Sequence, residues 1–273
     1  MLSFYVTNKR GETLEITNNS NYGVIDIDGL APTDATINTS HDVGADGSVF
    51  NSSYQNDRTI TVTLAINYPA EENRLALFKY FRPKSNCRLR IVTDTRDVWI
   101  DAYVQRLPVN MFKKKQTAQI VMTCPKPLFN GSQKGGTMTE THPLFEFPFE
   151  APLELSETGE TEVEVRNNGD VETGAEFIVY ALGNVSRPSI SNRSTGESFA
   201  VEVDLEAGES LVVSTVEKEK AVYINTNGGE QRSVAGSFVG DWMQIEPGRN
   251  ELVLSVSGMA QVDVSFTEKY EGV

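Results

Sequence analysis

The chain has 273 residues and a formal net charge of −14, with 39% hydrophobic and 23% charged residues. This composition is typical of a folded globular protein and excludes an intrinsically disordered chain. No apolar run approaches the roughly 20 residues that a membrane-spanning helix needs. The polar residues 8–10 follow the start too closely for a secretory signal. We therefore expect a protein that is made and kept in a cytoplasm and has no membrane partner.

The negative charge is concentrated in the second half of the sequence. Residues 1–129 hold 15 Lys and Arg against 13 Asp and Glu, whereas residues 130–273 hold 9 against 25, so the net charges are +2 and −16. An acidic surface repels nucleic acid, so no specific nucleic-acid partner is expected. The change of charge predicts two domains, residues 1–129 and 151–273, joined by a Gly- and Pro-rich linker at 130–150.

Alternating apolar and polar residues predict β-strands along most of the first domain. Short strands are predicted at residues 2–6, 13–17 and 23–27, and a β-branched run predicts a longer strand at 59–66. Residues 43–48 are interpreted as a glycine-rich loop. Because no helix follows that loop, a phosphate-binding site is excluded there.

One helix is predicted at residues 69–82. A proline and two glutamates at its start suit the first turn of a helix, where they complement the free N–H groups and the positive dipole end. Leu75, Phe78 and Phe81, with Leu77 beside them, recur at a helical spacing. We expect these side chains to form the face that packs against a sheet.

The strands predicted at 98–107 and 117–123 bracket residues 108–116 as the tip of a long hairpin. The tip combines two apolar residues with three basic ones, namely Met111, Phe112, Lys113, Lys114 and Lys115. We expect it to contact another subunit or an adjoining protein, which would cover the apolar pair and supply carboxylates to the lysines. The alternative is that the apolar pair folds back onto its own sheet and leaves the lysines in water.

Short strands separated by turns resume at residue 151, a pattern typical of an antiparallel β-sandwich. The predicted fold class is therefore mainly β, with two antiparallel sandwich domains, the first carrying the helix and the long hairpin. Acidic residues alternate with apolar ones in the second domain, as at Glu162, Glu164, Glu202 and Asp204. This alternation indicates a solvent-facing side of the sheet rather than the carboxylate pair of a glycosidase.

Histidine and cysteine are too few and too scattered for a zinc site or a catalytic group. His41, His142, Cys87 and Cys124 lie singly along the chain and match no zinc-ligand spacing. We therefore predict no catalytic residues, no metal and no cofactor, and hence no enzyme. The cysteines are interpreted as buried free thiols, with a disulfide as the alternative.

Two tryptophans could each stack on a sugar ring. Trp99 lies inside a predicted strand, which favours a place in the core or at a subunit interface. Trp242 comes just before a turn at residues 246–249 and is expected to pack over the end of the second sandwich. Sugar binding by Trp242 stays open as the alternative.

The order and spacing of several stretches carry a family resemblance. In the first domain these stretches are residues 57–62, 80–84, 88–91, the strand around Trp99, and 122–129. In the second domain they are residues 167–170, 187–190, 207–209, 247–250 and 270–273. With these stretches the chain resembles the siphophage distal tail proteins of the phage tail-component family over most of its length.

The resemblance implies a structural virion protein. In that family the N-terminal domain assembles into a hexameric ring, a galectin-like sandwich hangs outside the ring, and the ring joins the tail tube to tail-tip or baseplate proteins. The resemblance therefore implies a protein of the virion tail tip, assembled in the bacterial host cytoplasm. The alternative function is a carbohydrate-binding host-adhesion protein, although the sequence around Trp242 lacks the spacing of a galectin sugar site.

Overall fold

The chain divides into two compact units. The computed structural model describes residues 2–17, 19–44, 46–140 and 159–273. Unit 1 comprises residues 1–131 together with 270–273, and unit 2 comprises residues 132–269. The chain therefore leaves unit 1 after Gly131, forms unit 2, and returns to unit 1 for residues 270–273.

Unit 1 consists of antiparallel strands and one helix within its described residues. In chain order these elements are β1 (Ser3–Asn8), β2 (Thr13–Glu15), β3 (Tyr22–Asp28), β4 (Ala35–Ser40), β5 (Val49–Gln55), β6 (Arg58–Ile66), α1 (Ala70–Tyr80), β7 (Asn86–Val92), β8 (Asp97–Arg106), β9 (Val109–Asn110), β10 (Thr117–Cys124) and β11 (Phe129–Glu140), whose later part belongs to unit 2.

The core of unit 1 follows from the alternation of side chains along its strands. In β6, Ile60, Val62 and Leu64 are fully buried, while the threonines between them lie nearer the surface. β6 pairs with β3 on one side and β10 on the other, and β10 leads through β8 and β7 to β1 and β2. The apolar faces of these strands meet in a single cluster.

Helix α1 packs on this core through Leu77 and Phe81, as predicted, but not through Leu75 and Phe78. Asn73, Leu77 and Phe81, spaced by four residues, are buried, whereas Leu75 and Phe78 are 50% and 42% exposed. The prediction that Leu75 and Phe78 face the sheet is therefore wrong. Residues four positions apart lie on the same side of a helix, and the row formed by Asn73, Leu77 and Phe81 contacts the core.

The buried Asn73 is tolerated because its polar groups find partners from outside the helix. Its side-chain Nδ2 donates to the carbonyl oxygen of Asn67 at 3.1 Å, and its own carbonyl accepts the Tyr22 hydroxyl at 2.9 Å. A buried polar group with such partners escapes most of the cost of leaving water. These partners lie in the tertiary structure, so the helical pattern of apolar residues does not reveal the buried face.

Unit 2 begins with the later part of β11 and is also antiparallel. Its further elements are β12 (Gly159–Asn167), β13 (Thr173–Ala181), β14 (Val185–Asn192), β15 (Ser198–Val201), β16 (Asp204–Leu205), β17 (Ser210–Ser214), β18 (Ala221–Asn225), β19 (Gln231–Ser233), a 3₁₀ turn (Ala235–Ser237), β20 (Phe238–Gly240), β21 (Gln244–Ile245), β22 (Gly248–Ser257) and β23 (Ala260–Tyr270).

These strands form two sheets that share one core. One sheet has the order β19-β18-β17-β13-β23-β11, and the other has the order β12-β22-β14-β15-β20, with β16 beside β14. Phe177 of the first sheet meets Phe199 of the second edge to face, with ring centroids 5.2 Å apart. Apolar residues from both sheets fill the space between them. The predicted mainly β, antiparallel fold class is confirmed, and the galectin-like character of this unit stays a prediction.

The predicted linker at 130–150 begins as a strand, because β11 continues to Glu140; residues 141–150 lie outside the described part of the chain. The described residues of the predicted glycine-rich loop at 43–48 do lie in a loop. This loop joins β4 and β5, two paired strands that the sequence does not predict.

Candidate interaction surfaces

The tip of the predicted hairpin projects its apolar pair toward solvent. β9 pairs with the start of β10, and residues 111–116 connect them. Phe112 is 98% exposed and Met111 is 46% exposed, so neither side chain packs into the core of unit 1. The three lysines that follow are exposed as well. The alternative in which the apolar pair folds back onto its own sheet is not what the structure shows, and the contact with a neighbour stays a prediction.

A groove of about 380 Å³ lies at the base of this tip. Its walls are formed by Thr63 of β6, residues 108–112 and residues 117–119. The groove is open and bordered by Met111 and Phe112, so an apolar side chain from outside could enter beside them.

Strands β4 and β5 form a second projection, which we call the arm. The two strands pair from Ala35 with Gln55 to Ser40 with Val49 and make a separate two-stranded sheet. Apolar side chains of the arm are more than half exposed: Ile37 64%, Val43 107%, Val49 53%, Phe50 62% and Tyr54 57%. A two-stranded hairpin is at best marginally stable in water without a third layer. The arm is therefore a surface that gains stability when another protein covers it.

Trp99 lies on the outer face of the β7–β8 pair, beneath an arginine. The guanidinium of Arg88 lies 3.8 Å from the centroid of the indole ring and also binds Asp101 through two hydrogen bonds of 2.8 and 3.0 Å. Arg90 and Asp97 form a second such pair on the same strands. Arg88 lies directly opposite Asp101, whereas Arg90 and Asp97 are diagonal neighbours, and both pairs join the two strands on the outer face of the sheet.

Trp242 packs against the core of unit 2, as predicted from its place before a turn. Its indole stacks on the Phe238 ring at a centroid distance of 4.2 Å, and the Lys220 ammonium lies 5.0 Å from its centroid. Both contacts are compatible with a packing role for the indole. Sugar binding by Trp242 stays a prediction.

Two of the motif stretches in unit 2 contain buried asparagines. Asn250 is fully buried, its Oδ1 accepts Asn192 Nδ2 at 3.0 Å, and its Nδ2 donates to the carbonyl oxygen of Glu246 at 2.8 Å. Asn167 is also buried and donates to the carbonyl oxygens of Val171 and Ile245. These side-chain amides donate hydrogen bonds to main-chain carbonyl oxygens near the ends of strands, where they take the place of main-chain N–H groups. This explains the presence of asparagine at these positions.

The cysteines are free and buried, which confirms that prediction. Burial raises the pKa of the Cys87 thiol to about 12 and that of the Cys124 thiol to about 12. His41 is exposed and its ring Nδ1 lies 2.7 Å from the carbonyl oxygen of Gly47, whereas His142 lies outside the described residues.

Among the described residues, no group of three or more His, Cys, Asp and Glu side chains is placed to hold a metal ion. The same part of the chain contains no helix with both the length and the apolar character needed to cross a membrane.

Comparison with known protein families finds a sequence match to most of the second unit. Residues 168–270 match the family model of the siphovirus-type tail component, C-terminal domain. A search of curated proteins gives no match.

Solved structures extend the likeness to the whole fold. SPP1 Dit (gp 19.1), described as a paradigm of the hub adsorption apparatus of phages that infect Gram-positive bacteria, has a TM-score of 0.66 and 12% identity over 98% of this chain and 99% of its own. A chain of the phage P2 baseplate in its activated conformation with Ca has a TM-score of 0.51 and 12% identity over 100% of both chains. The predicted resemblance to siphophage tail components is therefore confirmed: residues 168–270 match the family model of a siphovirus-type tail component, and the chain as a whole has the fold of SPP1 Dit.

Proposed function

We propose that this chain is a structural distal tail protein whose copies associate through unit 1 into a closed ring. The ring joins the tail tube to tail-tip or baseplate proteins at the virion tail tip, after assembly in the host cytoplasm. The family match of residues 168–270 and the fold shared with SPP1 Dit support a structural tail role without enzymatic activity or a cofactor. The family resemblance makes a hexamer the expected ring.

The observation that carries self-association is the exposed arm. Covering an apolar side chain stabilises a complex by up to about 1.5–3 kcal/mol, and several such side chains project from β4 and β5. The arm and the hairpin tip are different surfaces of unit 1. When the arm of one copy binds a surface other than the arm on the next copy, the contact is head-to-tail. Such contacts close into a ring when the rotation between copies divides a full circle.

The charges of unit 1 offer one place for the arm to bind. Asp42 and Asp46 stand in the loop between its strands, next to the exposed Val43. The hairpin tip presents Lys113, Lys114 and Lys115 beside Met111 and Phe112 and the groove at its base. An acidic, apolar arm and a basic, apolar tip are complementary, and such complementarity selects the partner and its orientation.

Light scattering and electron microscopy of the purified protein test the ring. We expect the mass to rise with concentration from the 30.1 kDa of one chain to that of a closed ring visible in images. Replacing Ile37 and Phe50 together by Ser should weaken this assembly, and Leu182→Ser, at a residue of unit 2 that is 51% exposed, is the matched control. A 30.1 kDa particle at every concentration, also beside the neighbouring tail proteins, would exclude the ring.

A further inference from the structure

A buried arginine binds the start of the arm and the segment that follows unit 2. Arg58 is 1% exposed, and its guanidinium donates four hydrogen bonds of 2.6 Å to main-chain carbonyl oxygens. These acceptors belong to Gly29, Ala31, Pro127 and Glu271. The flat guanidinium presents its donors in fixed directions, so all four carbonyl groups are held in one arrangement.

Two of these acceptors belong to the root of the arm, which we define as residues 29–34 and 55–58. Gly29 and Ala31 lie in the connection between β3 and β4, which enters the arm, and Arg58 is the first residue of β6, which follows the arm. The Asn56 N–H also donates to the carbonyl oxygen of Asp34 at 3.1 Å across the root. The direction of the arm is therefore set by the few residues that Arg58 holds.

The segment 270–273 contacts the same root. The Val273 N–H donates to the carbonyl oxygen of Leu30 at 3.0 Å, and Gln55 Nε2 donates to Glu271 Oε1 at 3.3 Å. Thus the segment binds the residues that enter the arm and the residue that ends it.

The segment is itself held by a second arginine. Arg96 Nη1 donates to the carbonyl oxygen of Gly272 at 2.5 Å, and its guanidinium lies 4.5 Å from the centroid of the Tyr270 ring. A side chain on Gly272 would meet the carbonyl oxygen of Leu30 at 3.1 Å and Pro32 Cδ at 3.2 Å. A β-carbon at this position would therefore crowd the root, and the larger side chain of valine would crowd it further.

We propose that Arg58 and the segment 270–273 form a clasp that fixes the arm in the direction needed for assembly. Without the segment, a guanidinium donor and the Leu30 carbonyl lose their partners, and water enters the root in their place. The arm then keeps its strand pairing but moves as a body about its root. Its role in binding a neighbour rests on the proposed function, whereas the clasp is a property of the single chain.

Because of the clasp, the direction of the arm is fixed only after the segment 270–273 has been synthesised. The arm precedes unit 2 in the sequence and the segment 270–273 follows it. During synthesis, a chain that already contains the arm but not yet the segment 270–273 therefore has an arm without a fixed direction. Self-association through the arm then awaits the docking of the segment 270–273, which delays contacts between chains in which this segment has not yet docked.

Spin-label distance measurements on the monomer test the clasp. Labels go on cysteines introduced at Val43, in the arm, and at Tyr103, on β8, because both side chains are exposed and the native cysteines are buried. The labelled protein is diluted with unlabelled chains so that only distances within one chain are measured. We expect one narrow distance distribution for the parent and a broad one after deletion of residues 270–273 or after Arg58→Met.

Two further variants make the outcome decisive. Arg88→Met removes an arginine from the outer face of the sheet and should leave the distribution narrow. Gly272→Val keeps the chain length, so it decides the question if the deletion prevents folding. An unchanged narrow distribution in a folded Gly272→Val or Arg58→Met variant would overturn the proposal. Failure of the parent to form rings would contradict the proposed function but would not affect this measurement.

Discussion

Arg58 Nη2 donates a hydrogen bond of 2.6 Å to the main-chain oxygen of Glu271, and the two residues are 213 positions apart. Unit 2 lies between them in the sequence, so the last contacts of unit 1 form only when both of its parts are present. Closing such a long loop costs conformational entropy, which predicts slow completion of unit 1 after its strands have paired. The guanidinium also lies 4.4 Å from the Phe129 ring centroid, which adds apolar cover to the charge.

Replacing Met111 and Phe112 together by Ser should weaken ring assembly and leave thermal unfolding almost unchanged. Both side chains are exposed in the single chain, and surface substitutions shift stability by no more than about 0.5 kcal/mol. Sedimentation or light scattering measures the assembly, and Tyr68→Ser, at an exposed residue outside the tip, is the control. A clear drop in melting temperature with intact assembly would place the pair in the core and refute the interface.

Leu77→Ala should destabilise unit 1, whereas Leu75→Ala should not. Leu77 is fully buried and Leu75 is 50% exposed on the same helix. Removing a buried leucine costs about 2–5 kcal/mol, and the exposed control should cost less than about 0.5 kcal/mol. Urea unfolding followed by circular dichroism measures both losses. Equal losses would show that the helix packs through the face predicted from the sequence.

The cysteines should resist thiol reagents in the native protein and react on unfolding. With a pKa of about 12 for both thiols, a negligible fraction is ionised near neutral pH. The raised pKa values contribute stability below the unfolded pKa of about 8.5, and this contribution is lost as the pH rises above it. Replacing Cys87 and Cys124 by Ala should therefore reduce the loss of stability between neutral pH and pH 10. Rapid labelling of the folded protein would contradict their burial.

Asn250→Ala should destabilise unit 2 more than Asn225→Ala. Removal of the Asn250 amide leaves Asn192 Nδ2 and the Glu246 N–H without an acceptor, at a cost of about 1–3 kcal/mol for each buried group. Asn225 is partly buried and donates to Ser210 Oγ at 3.2 Å, so its loss should be smaller. Denaturant unfolding of both variants measures the difference, and a larger loss for Asn225→Ala would disprove the structural role of the motif.

The alternation of apolar and polar residues predicts those strands that have one face buried in the core and the other face toward solvent. β6, β8 and β10 each bury alternate side chains, so residues 59–66, 98–107 and 117–123 were predicted close to their observed bounds. The arm was missed because β4 and β5 are exposed almost throughout and carry no such alternation. For the hairpin tip, the combination of two apolar residues and three lysines predicts contact with a neighbour, and the structure adds that Met111 and Phe112 are exposed.

The sequence alone determined the mainly β class, the helix near residues 69–82 and the resemblance to siphophage tail components, because periodicity, composition and motif order are properties of neighbouring residues. It left open whether the hairpin tip exposes its apolar pair. Only the tertiary structure decided which face of α1 is buried, that an arm projects from unit 1, and that Arg58 meets Glu271. These features depend on hydrogen bonds and packing between residues far apart in the chain. Asn73 is the simplest example. Its burial is tolerated because it forms hydrogen bonds with Asn67 and Tyr22, and the pattern of apolar residues in the helix does not predict these hydrogen bonds.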